Sequence, residues 1–123
     1  MKNIESELQE FYSNLRKNDE KLIDNFGLNK FINNLEGEIA KYQANSDESV
    51  KKDALYDCAG TIYHMMNAVK NYRLNRGVEK DIKANPINLR KEDLIFRNLF
   101  IMYNHLIFSL YTKSEEKREA SNK

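Results

Sequence analysis

Seven cations gather between residues 70 and 91: Lys70, Arg73, Arg76, Lys80, Lys83, Arg90 and Lys91, set against Glu79 and Asp81. Tyr72 stands between Lys70 and Arg73. Aromatic rings among cations can stack bases while the cations hold phosphates, so this segment is the candidate nucleic-acid surface. The plainer role for Arg73 and Arg76 is the last turn of a helix, where positive charge complements the helix dipole.

A second pair, Arg97 and His105, has the chemistry of metal-independent RNA cleavage. The imidazole would move protons and the guanidinium would stabilise the phosphorane. Seven residues lie between them, which offsets the two by about 80° around a helix instead of stacking them. Arg97/His105 therefore ranks third among the readings, and no catalytic residue is assigned.

Cys58, His64 and His105 are the N and S atoms that could take a metal. Cys58 and His64 are six apart on one helix, about 120° around its axis. No CxxC, HxxxH or ExxH spacing occurs, so the usual zinc and di-iron signatures are missing and neither metal nor cofactor is expected. No serine or cysteine sits in a pattern with a histidine, and no glycine-rich phosphate loop is present.

The remaining candidates are apolar. Leu94, Ile101 and Phe108, each seven apart, fall on the polar side of a helix that is otherwise apolar. Met66, beside Met65, is a residue type that adapts to irregular partners. These four form the candidate partner surface. Charge adds to it. Residues 1–57 carry eight Lys/Arg against twelve Asp/Glu, a net of −4, and residues 58–123 carry twelve against seven, a net of +5. That polarity can steer the chain toward a charged protein or permit a homodimer.

These residues sit on helices. Ile4, Leu8, Phe11, Leu15 and Leu22 recur in steps of three and four, with Asn18 interrupting, and predict a helix over 3–26 stopped by Gly27. Phe31, Ile32, Leu35, Ile39 and Tyr42 predict a second helix over 29–44, with Asn29 as its cap. Leu55, Cys58, Ile62, Met65, Val69 and Tyr72 follow strict heptad spacing and predict a third from a Ser46 cap to Gly77. A 12-residue linker, 77–88, contains Asn85-Pro86. The fourth helix runs from about residue 89 to 113, with Asn88 as cap and Glu92 and Asp93 in its first turn.

Of the 18 residues 94–111, 13 are apolar. Such a helix is either the centre of a bundle or touches a partner, and three other helices could cover it.

The chain has 123 residues, four glycines, one proline and one cysteine. That length supports one core without a disulfide or metal. The expectation is an all-α bundle of four main helices, up-and-down, over residues 1–113, with a charged, flexible tail over 114–123. No stretch has the length of a membrane span without polar groups, and the first residues lack a signal-peptide core, so a cytoplasmic protein away from membranes is expected. The functional expectation is a non-enzymatic interaction protein that binds and modulates a larger protein, of the inhibitor, immunity or regulatory type that mobile elements often encode. Binding of RNA or DNA through residues 70–91 is the alternative.

Overall fold

The computed structural model describes residues 3–18, 20–76 and 86–121, with the side chains of the last helix described over 89–112. Among the described residues five helices follow one another: α1 (Ile4–Arg16), α2 (Glu20–Phe26), α3 (Asn29–Ala44), α4 (Glu48–Arg76) and α5 (Pro86–Ser121). The all-α bundle is as the apolar spacing predicts.

The single helix expected over 3–26 is two. α1 starts at Asn3, whose Oδ1 accepts from the Ser6 amide at 2.8 Å. It ends because Asn18 takes a backbone acceptor for itself: its Nδ2 donates to the Asn14 carbonyl at 3.1 Å. A short amide side chain competing for a helical carbonyl is a common way for a helix to stop.

α2 ends as the sequence predicts. Gly27 has φ of 69°, and its amide donates to the Asp24 carbonyl while that of Leu28 donates to Ile23, both at 3.0 Å. Leu28 is fully buried, which supplies the apolar contact that accompanies this left-handed cap.

Two predicted caps shift. Leu28, not Asn29, precedes the first turn of α3, and its carbonyl accepts from Ile32 at 2.9 Å. Asn29 instead donates from Nδ2 to Asp24 Oδ1. The burial of Leu28 fixes the entry angle and leaves Asn29 inside the helix. At α4 the cap is Asp47 and not Ser46: Asp47 Oδ1 accepts from the Ser49 amide at 2.8 Å.

The linker is shorter than expected and Asn88 is not the cap of α5. The helix begins at Pro86, because proline fits the first helical position, where its missing N–H would have had no partner. Gly77, Lys80 and Lys83 fall outside the described residues. At its far end α5 continues through Ser121, helped by the high helix propensity of the Glu, Lys, Arg and Ala in 115–120.

α4 is central and packs against α3 on one side and α5 on the other. α1 lies against α3 and α5, and α2 against α4. The heptad residues Leu55, Cys58, Ile62, Met65 and Val69 are buried, facing Leu35 and Ile39 of α3 and Leu99 and Leu106 of α5 in one core. Tyr72, at the end of the series, packs edge-on against Phe26 of α2 with ring centroids 5.2 Å apart.

One charged pair is built into this core. Glu92 is 2% exposed. Arg76 holds it with two hydrogen bonds, Nη1 to Oε2 at 2.7 Å and Nη2 to Oε1 at 2.9 Å. Arg73 Nε lies 3.8 Å from the same carboxylate, and its Nη1 donates to Asp93 at 2.6 Å. Since α5 begins at Pro86, Glu92 stands in its second turn and not, as the sequence suggests, in the first.

Arg76→Ala takes both hydrogen bonds from that buried carboxylate and leaves it only the Arg73 guanidinium, 3.8 Å away, and should cost about 3 kcal/mol of stability. Arg76→Met with Glu92→Leu removes both charges and should be close to neutral. Urea denaturation of the two variants checks this. Gly27→Ala has room for its Cβ, with no atom within 4 Å, so its cost of about 1–2 kcal/mol comes from the left-handed backbone alone.

Candidate functional site

α5 is apolar around most of its circumference, and the bundle covers one side of it. Ile95, Leu99, Met102, Leu106 and Leu110 are buried. The stripe Leu94, Ile101 and Phe108 is 55%, 42% and 71% exposed, so the other helices do not cover it. Beside it stand Phe100, Ile107 and Tyr111, also exposed. The last three are absent from the partner surface that the sequence suggests, because a helix with apolar residues on every side does not announce which of them point inward.

The exposed face continues onto α4. Tyr63 is about half exposed and its ring lies 5.9 Å from that of Tyr103. These exposed aromatic and aliphatic side chains are grouped on one helix and its neighbour instead of being scattered singly, as surface apolar residues ordinarily are. Met66, the fourth residue of the predicted partner surface, is half-buried on α4 and packs against the core.

A groove of about 330 Å³ runs between α1 and α5. Phe11, Leu15 and Met102 form its floor, and Glu7, Glu10, Asn14, Asn98 and His105 its walls. His105 Nδ1 lies 3.1 Å from Glu7 Oε2. Ile101 contributes to one edge, so the groove adjoins the apolar face. Arg97 is exposed and does not line it. The Arg97/His105 pair is thus not brought around a common space, as the 80° offset implies.

Two cations of the basic segment are engaged within the fold. Arg73 and Arg76 bind Glu92 and Asp93, and Tyr72 packs on Phe26 with the Arg76 guanidinium 5.5 Å from its ring centroid. Lys70, Arg90 and Lys91 are exposed. Lys80 and Lys83 lie outside the described residues.

Cys58 is fully buried. Burial above all, helped by the nearby negative charges of Glu38 and Asp57, pushes its thiol up to about 12, so no thiolate nucleophile forms near neutrality. His64 stacks on Phe31 at 6.2 Å. Among the described residues, no three His, Cys, Asp or Glu side chains come together as a metal site. No described helix is long and apolar enough to cross a membrane.

Glu38 links α3 to α4 by accepting from Thr61 Oγ1 at 2.7 Å, while its Oε2 is buried with no hydrogen-bond partner. Desolvation raises its carboxyl above the ordinary value of 4.5, opposed by the Thr61 bond and assisted by Asp57. A raised acid favours the protonated folded state, so stability is lost as the pH rises above 4.5. Glu38→Gln should therefore melt at a higher temperature than the parent at pH 7, with the gap closing near pH 4. Calorimetry at the two pH values checks the sign.

No protein family, characterised protein or solved structure matches this chain, so its functional reading rests on the geometry of its own residues.

Proposed function

We propose that this is a non-enzymatic interaction protein that docks on a larger protein or complex through the outer face of α5 and modulates it, in the manner of small inhibitors, immunity proteins and regulators, including those of mobile elements. One observation carries this reading: six large apolar side chains on one helix, Leu94, Phe100, Ile101, Ile107, Phe108 and Tyr111, stand at least two-fifths exposed. Leaving such surface in water forgoes roughly 25 cal/mol for each Å² that burial would gain. Its aromatic content is the composition that interface centres favour.

Among the described residues, binding of RNA or DNA would draw on Lys70, Arg90 and Lys91, since Tyr72, Arg73 and Arg76 make contacts that hold α2, α4 and α5 together.

The test is retention of a partner by the tagged full chain from its native host, with nuclease treatment and a salt series in parallel. A protein partner should survive nuclease. Ile101→Glu or Phe108→Glu should reduce its recovery at least about tenfold while the thermal melt stays unchanged, because both residues are exposed. Equal recovery by parent and variants would remove this face from the reading. Recovery of nucleic acid that falls steeply with salt would replace the reading with the basic alternative.

A further inference from the structure

The outer face of α5 is self-complementary. Taking about 100° per residue, the core residues of α5 centre on the side opposite Asn104. Around Asn104, Arg97 and Tyr111 stand about 20° to either side, Phe108 and Phe100 about 40°, and Ile101 and Ile107 about 60°. Each of these pairs is equidistant from Asn104 along the helix: seven residues away for Arg97 and Tyr111, four for Phe100 and Phe108, three for Ile101 and Ile107.

A two-fold axis perpendicular to two antiparallel helices maps each residue to the one equally far on the other side of the centre. With the axis at Asn104, the layers nearest the centre of the seam pair like with like or with a chemical complement. Phe100 meets Phe108, and Arg97 meets the ring of Tyr111, which a guanidinium favours. Ile101 and Ile107 lie on opposite flanks of the seam, Ile101 beside Phe108 of the second copy and Ile107 beside its Phe100. At the centre Asn104 meets itself, and a carboxamide can donate to and accept from its own copy.

Resting on the reading of this face as a protein-docking surface, we propose that, when no larger protein covers it, its occupant is a second copy of the chain, packed antiparallel along α5 about a two-fold axis through Asn104. The face accepts this partner because an isologous interface must find its complements on the same patch, and this patch holds them for Arg97, Phe100, Asn104, Phe108 and Tyr111. A lone polar residue at the middle of an apolar seam fixes register and copy number, which is the role Asn104 takes here. The area suffices. The six apolar side chains expose on the order of 600 Å² per copy, so two copies reach the roughly 1,000 Å² or more of a specific interface.

The full chain, of 14.5 kDa, should sediment as a dimer of twice that mass. Ile101→Glu sets a carboxylate against Phe108 of the other copy in both symmetric positions and should weaken association on the order of 100-fold. Adding Phe108→Lys in the same chain creates a Glu–Lys pair at each of those positions and should restore the dimer. Under mild oxidation Asn104→Cys should cross-link two copies, and Phe108→Cys should not, because the two copies of residue 108 lie on opposite sides of the axis.

A parent that stays monomeric at sub-millimolar concentration overturns the proposal, while loss of a different partner by Ile101→Glu would still uphold the docking face. A dimer indifferent to Ile101→Glu overturns the proposed interface. A double variant that stays monomeric, or a Phe108→Cys chain that cross-links as readily as Asn104→Cys, overturns the antiparallel register.

Discussion

Glu92 is almost sealed from water, and a lone carboxylate in that position would cost several kcal/mol. The bundle tolerates it because Arg76 meets both of its oxygens and Arg73 lies within ion-pair range. The pair joins the last turn of α4 to the second turn of α5, so the cation and the anion also stand near the helix ends that favour them. Tyr72 extends the link to α2: its ring contacts Phe26 on one side and the Arg76 guanidinium on the other. Charge, ring and core thus meet at the point where the chain leaves the central helix and returns along it. The placement of α5 on α4, and with it which side of α5 faces water, depends on this end being held.

Once α5 is docked, its composition becomes a constraint. A helix in a four-helix bundle buries a stripe, and the stripe here is filled by Ile95, Leu99, Met102, Leu106 and Leu110. The sequence supplies more apolar residues than that stripe holds. Phe100, Ile107, Tyr111, Leu94, Ile101 and Phe108 are left outside, and α1 and α4 already occupy the two flanks of the helix. Surplus apolar side chains on a helix that has used its covered side are the feature on which the proposed docking surface rests.

How much of this the sequence disclosed depends on how many meanings each pattern allows. The heptad run from Leu55 to Val69 was readable because its members keep an unbroken alternation of three- and four-residue steps. The stop at Gly27 was readable because glycine takes a left-handed backbone at little cost. Helix starts were less so: Asn29, Ser46 and Asn88 all have good capping chemistry, but the burial of Leu28, the carboxylate of Asp47 and the preset backbone of Pro86 moved the boundaries by one to three residues. The cations at Arg73 and Arg76 read as solvated or phosphate-binding because their partner, Glu92, lies in another helix and nothing local marks it as buried. On α5 the stripe Leu94, Ile101 and Phe108 could be identified but not its exposure, and the neighbouring Phe100, Ile107 and Tyr111 could not be told from core. Thirteen apolar residues in eighteen leave no periodicity to choose a side.

The residues that could do chemistry are dispersed by the same packing that gathers the apolar ones. Cys58 fills a heptad position, where burial keeps its thiol protonated. His105 meets Glu7 at the rim of a groove that Arg97 does not enter. Glu38 lies between α3 and α4 with Thr61. Catalysis needs a nucleophile or base and a charge stabiliser around one space, and here each candidate is sequestered or stands apart. Recognition needs only a surface whose groups are complementary to another, and α5 concentrates aromatic and aliphatic side chains around one amide. The case for a binding protein is therefore a matter of where the fold spends its side chains: the reactive ones inside or singly at the edges, the adhesive ones together and in water.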